Sequence, residues 1–111
     1  MRSPCFHVFK SEISMLYHYQ LRALNGDIIL KGDGYTTKQS SLNDIKMVQE
    51  NAKDDRSYIR SDSYMKYRFN LITRDGIVVG RSETYDSPVI REVDISLVKR
   101  AAHIAIIKDR T

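Results

Sequence analysis

Cysteine is nearly absent from this chain of 111 residues, and its one copy, Cys5, cannot form an internal disulfide. A single cysteine also excludes the paired-cysteine motifs that bind zinc or exchange electrons. The first residues, MRSPCFHVFKSE, contain neither an apolar core nor a small-residue cleavage site, so no export signal is visible. Together these absences predict a cytoplasmic protein.

Long apolar runs and long basic runs are both missing. No stretch approaches the roughly 18 apolar residues that a membrane-spanning helix requires, so no membrane partner is expected. The 18 lysines and arginines are scattered, although the net charge is +4 and the pI is about 9.3. This mild positive excess would favour a nucleic acid or an acidic surface as a partner, but by itself it indicates neither.

Catalytic signatures are missing as well. The three histidines, His7, His18 and His103, do not lie at metal-ligand spacing from one another, from the cysteine or from a carboxylate. No segment resembles a nucleophile elbow or a phosphate-binding loop. We therefore predict no catalytic residue, no metal and no cofactor, and the sequence does not indicate an enzyme.

What the chain does contain is an internal repeat. Residues 19–52 align without a gap with residues 69–102. Such self-similarity indicates two copies of one supersecondary unit. Since the length suits a single domain, we predict two repeats, residues 1–54 and 55–111, in one compact body. The identical pairs are Leu21/Leu71, Gly26/Gly76, Tyr35/Tyr85, Asp44/Asp94, Ile45/Ile95, Val48/Val98 and Ala52/Ala102.

Each copy opens with a hairpin, because alternating apolar residues from Tyr17 to Leu24 predict a strand with one inner face. Asn25-Gly26 in copy one and Asp75-Gly76 in copy two are typical of a type I′ turn. Such a turn would set a large ring opposite a small residue in both copies. The predicted pairs are Ala23 with Ile28, Leu21 with Leu30, Tyr19 with Gly32 and Phe69 with Ser82.

A helix follows each hairpin. Thr37 and Ser87 are suitable N-cap residues, and apolar residues recur behind them at helical spacing. We predict helices over residues 37–51 and 87–102 and a closing strand over residues 104–107. The fold class is α+β: two ββα repeats related by a pseudo-twofold axis, with additional strands, forming antiparallel sheets each packed on a helix. One strand could cross to the partner repeat, because strands flank each helix.

The combined motifs resemble the YegP-like family. This resemblance implies a small bacterial protein with one or two repeats of about fifty residues and an α+β fold. It implies no biochemical function, so no catalytic residue is carried over. Before the helix isoleucine the family commonly has glycine, whereas both copies here have Asp44 and Asp94, which need room and a polar partner. The resemblance is carried by residues 21–29, 33–38, 45–52, 69–71, 78–85, 95–99 and 107–111.

Two pairs of repeated polar residues are candidates for function. Asp44 and Asp94 could form an acid pair or an ion site, or they could be helix carboxylates that bond a neighbouring loop. Tyr35 and Tyr85 could line a binding groove, or they could fill the gap between sheet and helix with the hydroxyl exposed to water. The sequence leaves both alternatives open for each pair.

The outward side of the hairpins mixes cations, amides and aliphatic residues. A polyanion or a peptide could bind such an open face. The apolar residues Ile29, Ile72 and Val79 predict that part of it is covered by the other repeat, a terminal strand or a second subunit. The candidate binding-surface residues are Arg22, Lys31, Arg68 and Arg81, together with Tyr35 and Tyr85.

These observations favour a non-catalytic interaction module that binds a protein or a nucleic acid. The alternative is a small-ligand binder or small enzyme with a site at the seam, where both repeats would bring Asp, Tyr and Arg together. We expect a monomer or a homodimer.

Overall fold

The computed structural model of this protein describes residues 3–111. Two α-helices, α1 (Lys38–Asn51) and α2 (Pro88–Ala101), accompany a short 3₁₀ turn at Asp55–Ser57. No helix in this part of the chain is long and apolar enough to cross a membrane. The strands are β1 (Cys5–Lys10), β2 (Tyr17–Arg22), β3 (Ile28–Lys31), β4 (Tyr58–Ser63), β5 (Lys66–Ile72), β6 (Val78–Arg81) and β7 (Ile106–Asp109).

All of these strands form one sheet in the order β4-β5-β6-β3-β2-β1-β7. The α+β class is confirmed, but a single mixed sheet replaces the separate antiparallel sheets that the sequence suggested. The repeats join where β3 pairs antiparallel with β6, at Lys31 and Arg81. Each hairpin edge satisfies the free backbone groups of the other. A pseudo-twofold axis perpendicular to the sheet at this point places both helices on the same side.

The last strand crosses between the repeats. After α2 the chain does not return to its own hairpin, because β7 runs parallel to β1. After α1 the chain becomes β4, which pairs antiparallel with β5. The crossing strand that the sequence allowed is therefore present, and it begins at Ile106.

The type I′ prediction for the turns is wrong. Gly26 has a φ of +91°, but Asn25 is not among the residues with positive φ. The Gly26 N–H donates to the Ala23 carbonyl at 2.9 Å, and the Ala23 N–H donates to the Asp27 carbonyl at 2.9 Å. These bonds define a three-residue loop that ends in a left-handed glycine. The second repeat has the same bonds around Gly76, whose φ is +83°.

The longer loop is accommodated by a β-bulge. Leu21 still pairs with Leu30, as predicted, but the register then shifts and Arg22 pairs with Ile28. The predicted pairing of Ala23 with Ile28 is therefore wrong. Further along the hairpin the predicted register holds, since the Gly32 N–H donates to the carbonyl of Tyr19 at 3.1 Å.

Both helices bury the same repeated stripe against the sheet. Thr37 caps α1 by accepting from the Ser40 N–H, and Ser87 caps α2 by accepting from the Val89 N–H, each at 3.1 Å. Removing one Val or Ile side chain from water contributes about 1.5–3 kcal/mol. Each copy therefore holds its helix in the same way. The buried stripe is Ile45, Val48 and Ala52 in and just after α1, with Ile95, Val98 and Ala102 in and just after α2.

A large ring lies over a small residue in each repeat, as predicted. A Cβ added at Gly32 would overlap the ring of Tyr19. In repeat two, the Ser82 hydroxyl accepts from the Phe69 N–H at 2.9 Å. Of the three aliphatic residues expected to be covered, Ile72 is partly exposed, whereas Ile29 and Val79 are buried within the single chain. Their cover therefore does not require a second subunit.

Candidate anion-binding face of the sheet

One row of side chains crosses the whole sheet on the side away from the helices. Strand partners in register share a face. Residues next in sequence turn the other way, as Asp109 does when it pairs with Lys38 of α1 at 2.9 Å. We call the side without helices the outer face. From β7 to β4 its central row is Lys108, His7, Gln20, Lys31, Arg81, Asn70 and Ile59.

The two cations at the seam between the repeats, Lys31 and Arg81, are already paired. Lys31 Nζ lies 3.1 Å from Glu83, and Arg81 Nε lies 3.0 Å from Asp33. These are equivalent pairs that cross the pseudo-twofold axis. Because all four side chains are half-exposed, each pair contributes at most about 1 kcal/mol to stability. The seam is therefore close to neutral.

The cations at the β7 side of the outer face have no such partners. Arg22, Lys108 and Arg110 take part in none of the ion pairs among residues 3–111. Burial lowers the pKa of His7 from its ordinary value, and the positive charges of these three residues lower it further. His7 is therefore neutral at pH 7 inside a cationic cluster, which an anion would stabilise.

A cleft of about 440 Å³ opens within this cluster. Arg22 spans its floor: one terminal nitrogen donates to the Gln20 side chain at 2.9 Å, while its Nε is buried without a partner. The other terminal nitrogen reaches the Gly26 carbonyl at only 3.3 Å. The guanidinium is thus held in place with hydrogen-bonding capacity to spare. We call this the basic cleft, and its walls are Cys5, His7, Arg22, the turn 23–26, Ile106 and Lys108.

An aromatic pair lies beside the basic cleft on the same face. Phe9 of β1 and His18 of β2 are cross-strand partners whose rings stack at 5.5 Å with an angle of 18° between their planes. Both side chains are partly exposed. The outer face therefore places two partly exposed aromatic rings next to unpaired cations.

The basic cleft exists in only one of the two repeats. At the positions that correspond to His7 and Arg22 by strand pairing, repeat two has Ile59 and Ile72. Among residues 3–111, no further strand pairs with the β4 edge, so nothing in this part of the chain corresponds there to Lys108. Repeat two forms its hairpin and packs its helix with isoleucine at both positions, so these elements do not require His7 and Arg22.

The remaining candidates do not join this cluster. Arg68 is exposed on the β5 side of the outer face, where its Nε donates to Thr84 at 2.9 Å. Tyr35 and Tyr85 point instead to the helix side of the sheet. The structure thus brings the predicted Arg22 together with His7 and Lys108. Sequence reasoning did not identify His7 and Lys108 as site residues. No local pattern could reveal them, because the cluster forms only when β7 pairs with β1.

The repeated tyrosines and aspartates turn out to be partners. The Tyr35 hydroxyl donates to Asp44 at 2.6 Å, and the Tyr85 hydroxyl donates to Asp94 at 2.7 Å. Burial raises the pKa of each tyrosine, and the bond to the carboxylate raises it further. Each ring also stacks in the interior, on Tyr19 and Phe69 respectively. The tyrosines therefore lie on the helix side, whereas Arg81 meets Asp33 on the outer face of the seam.

A family model described as "Domain of unknown function (DUF1508)" matches residues 16–58 and again residues 62–109. Each match covers one hairpin with its helix and the start or whole of the strand that follows. The two matches agree with the internal repeat.

Known proteins resemble this chain along nearly its full length. UPF0339 protein PA0329 of Pseudomonas aeruginosa is 34% identical over 107 residues, which are 96% of each chain. UPF0339 protein YegP of Yersinia pestis is 34% identical over 96 residues, 86% of each chain.

Two solution NMR structures have the same fold. The yegP protein of E. coli, titled a protein of unknown function, superposes with a TM-score of 0.91 at 28% identity, covering 100% of this chain and 96% of that one. UPF0339 protein SO3888 of Shewanella oneidensis superposes with a TM-score of 0.89 at 30% identity, covering 96% and 91%.

Proposed function

Because this chain belongs to the YegP-like DUF1508 family, whose description gives no activity, we infer its function from its own surface. We propose that it is a binding module for single-stranded nucleic acid. The family resemblance noted in the sequence is confirmed. The proposed module is non-catalytic and holds the strand along the outer face. The basic cleft takes one or more phosphates.

The observation that carries this proposal is the set of unpaired cations around the basic cleft. Arginine and lysine bind phosphate through charge-assisted hydrogen bonds that are about twice as strong as neutral ones. Arg22 and Lys108 both line the cleft, and Lys108 faces His7 across the β1–β7 pair. The carboxylates of the outer face, Asp33 and Glu83, are engaged at the seam, away from the cleft.

The stacked rings favour a single strand over an acidic peptide. Unpaired bases stack on aromatic side chains and arginine, and each stacked base is worth about 1–3 kcal/mol. Phe9 and His18 provide such a surface beside the cleft. The amides of Gln20 and Asn70, in the central row, supply hydrogen bonds to base edges. An acidic peptide would use the cations but would gain little from the aromatic pair.

The cytoplasm is the compartment that suits this role. Cys5, a free and buried thiol, persists where thiols stay reduced. We infer that the protein meets its nucleic acid there.

Fluorescence anisotropy with labelled single-stranded RNA and DNA tests this function. We expect salt-dependent binding by the wild type. The double variant Arg22→Gln/Lys108→Gln should bind at least about tenfold more weakly, and the slope of log K against log salt should fall by about 1.4, because each phosphate contact on a single strand contributes about 0.7. The matched control is Lys46→Gln/Lys53→Gln, which removes two exposed charges from the helix side.

The control variant should bind like the wild type. If the wild type binds neither RNA nor DNA at low salt, or if both double variants lose affinity equally, the proposal is wrong. Binding of an acidic peptide without binding of either nucleic acid would replace it with a protein partner.

A further inference from the structure

Helix α2 exposes apolar residues that the fold does not need. Val89, Ile90 and Val93 are 69%, 51% and 52% exposed on the side of α2 that faces solvent. The equivalent residues of α1 are polar: Gln39, Ser40 and Asn43. Both helices bury the same stripe on their other side, so the two units fold alike with or without these apolar residues. The difference therefore calls for an explanation outside the monomer.

Two of these exposed residues line up with a leucine that is partly buried against the core, and the three form one apolar stripe. Val89, Val93 and Leu97 follow one another at four-residue intervals, so they lie above one another on the helix surface. At the end of the helix the stripe continues into an apolar cavity of about 370 Å³. The cavity is lined by Leu97, Ala101, Ile104, Pro4, Ala23 and Leu24, among others.

The charges along α2 indicate which partner fits. Four of its charged residues already have partners within the chain: Arg91 with Asp62, Glu92 with Arg60, Asp94 with Tyr85 and Lys99 with Asp55. Asp86 and Arg100 are exposed and belong to none of the ion pairs in the described part of the chain. They have opposite signs and lie equally far from Val93, one before it and one after it.

This pattern is self-complementary about Val93. If two α2 helices pack antiparallel on a twofold axis at this residue, Val93 meets its own copy and Val89 meets Leu97 of the other chain. Asp86 of each chain then lies beside Arg100 of the other chain, so the interface contains two such pairs. A twofold interface uses the same patch on both subunits, so it must be complementary to itself in this way.

We propose that α2 is the contact surface for a second copy of this chain, packed antiparallel about Val93. The dimer does not depend on the nucleic-acid proposal. It leaves both outer faces open, because the helices lie on the opposite side of each sheet. Each dimer then presents two basic clefts that point away from each other.

Sedimentation velocity over a wide concentration range tests the dimer. The wild type should shift to twice the monomer mass, and Val93→Glu should remain monomeric at the same concentrations, because it buries a carboxylate in the apolar contact. Asn43→Glu, the equivalent change on α1, is the matched control and should dimerise like the wild type. Circular dichroism checks that each variant is folded.

Charge reversal tests the orientation. Asp86→Arg alone and Arg100→Asp alone should each weaken dimerisation by about tenfold, since each places like charges side by side. The combined variant should restore the wild-type affinity. Any of three results would overturn the proposal. The wild type could stay monomeric at every concentration, Asn43→Glu could dissociate the dimer as much as Val93→Glu does, or the combined variant could dimerise as weakly as the single variants.

Discussion

At the scale of single residues, each repeat has an aspartate directly before the buried isoleucine of its helix. Asp44 and Asp94 need polar partners in a half-buried place, and each receives a tyrosine hydroxyl at 2.6–2.7 Å. The same bond satisfies a tyrosine hydroxyl that would otherwise lose its hydrogen bond to water. Of the two interpretations that the sequence left open for these residues, the observed contacts support the structural one.

A double-mutant cycle measures this bond. Tyr35→Phe and Asp44→Ala should each lower the free energy of unfolding by about 1–2 kcal/mol, and together by less than the sum, because they remove the same hydrogen bond. Urea denaturation gives the values. The control cycle combines Asp44→Ala with Tyr85→Phe, which belong to different pairs, and should be additive. Additivity in the first cycle would show that the bond does not stabilise the fold.

His7 should make binding depend on pH. Its pKa lies below the ordinary value of about 6.5, because burial and the charges of Arg22, Arg110 and Lys108 disfavour its charged form. A bound phosphate reverses that balance and raises the pKa. By linkage, the affinity for the nucleic acid should rise as pH falls below about 6.5. Well above that pH, the affinity should not depend on the protonation of His7.

Anisotropy titrations between about pH 5 and pH 8 check this expectation. The wild type should bind several-fold more tightly at the acid end, and His7→Gln should lose most of that gain. His103→Gln, an exposed histidine after α2 and outside the outer face, is the control and should retain it. A pH profile unchanged by His7→Gln would mean that His7 does not face the bound phosphate.

At the scale of elements, the turn shows how far local sequence reasoning reaches. Asn25-Gly26 predicts a hairpin, and the pairing of Leu21 with Leu30 follows the prediction. The turn type does not follow, since this dipeptide also suits a three-residue loop in which only the glycine needs positive φ. The three-residue loop goes with the register shift between Leu21 and Arg22, which the dipeptide alone does not indicate.

Substitution at Gly26 separates backbone strain from crowding. A Cβ at this residue would meet no atom within 4 Å, so the cost of Gly26→Ala comes only from its φ of +91°. We expect a loss of about 1 kcal/mol in the free energy of unfolding. Gly26→Asn should cost less, because asparagine tolerates this conformation. Thermal or urea unfolding gives both values, and equal losses would contradict this account of the loop.

At the scale of the whole molecule, the important contact is the one that the sequence predicted least well. The repeat, the helices and their buried stripe could all be read from periodicity and capping residues, such as Thr37 and Ser87. The pairing of β7 with β1 could not, because Ile106–Asp109 is short, has no alternating pattern and finds its partner about a hundred residues away in sequence. The basic cleft depends on that pairing, so Lys108 could not be placed beside His7 beforehand.

The two proposed surfaces lie on opposite sides of the sheet. The outer face, where we propose that nucleic acid binds, lies on one side and the α2 stripe lies on the other. Changes to Arg22 or Lys108 should therefore leave dimerisation unchanged, and changes to Val93 should leave the intrinsic affinity of each cleft unchanged.

The most direct test of the binding face is an NMR titration of the full chain with a short single-stranded oligonucleotide. We expect the largest shift changes in β7, β1 and β2, at residues that include His7, Arg22 and Lys108, while α1 and α2 stay nearly unaffected. Shift changes centred on the helices or on the β4 edge, or no change at low salt, would contradict the assignment of the outer face.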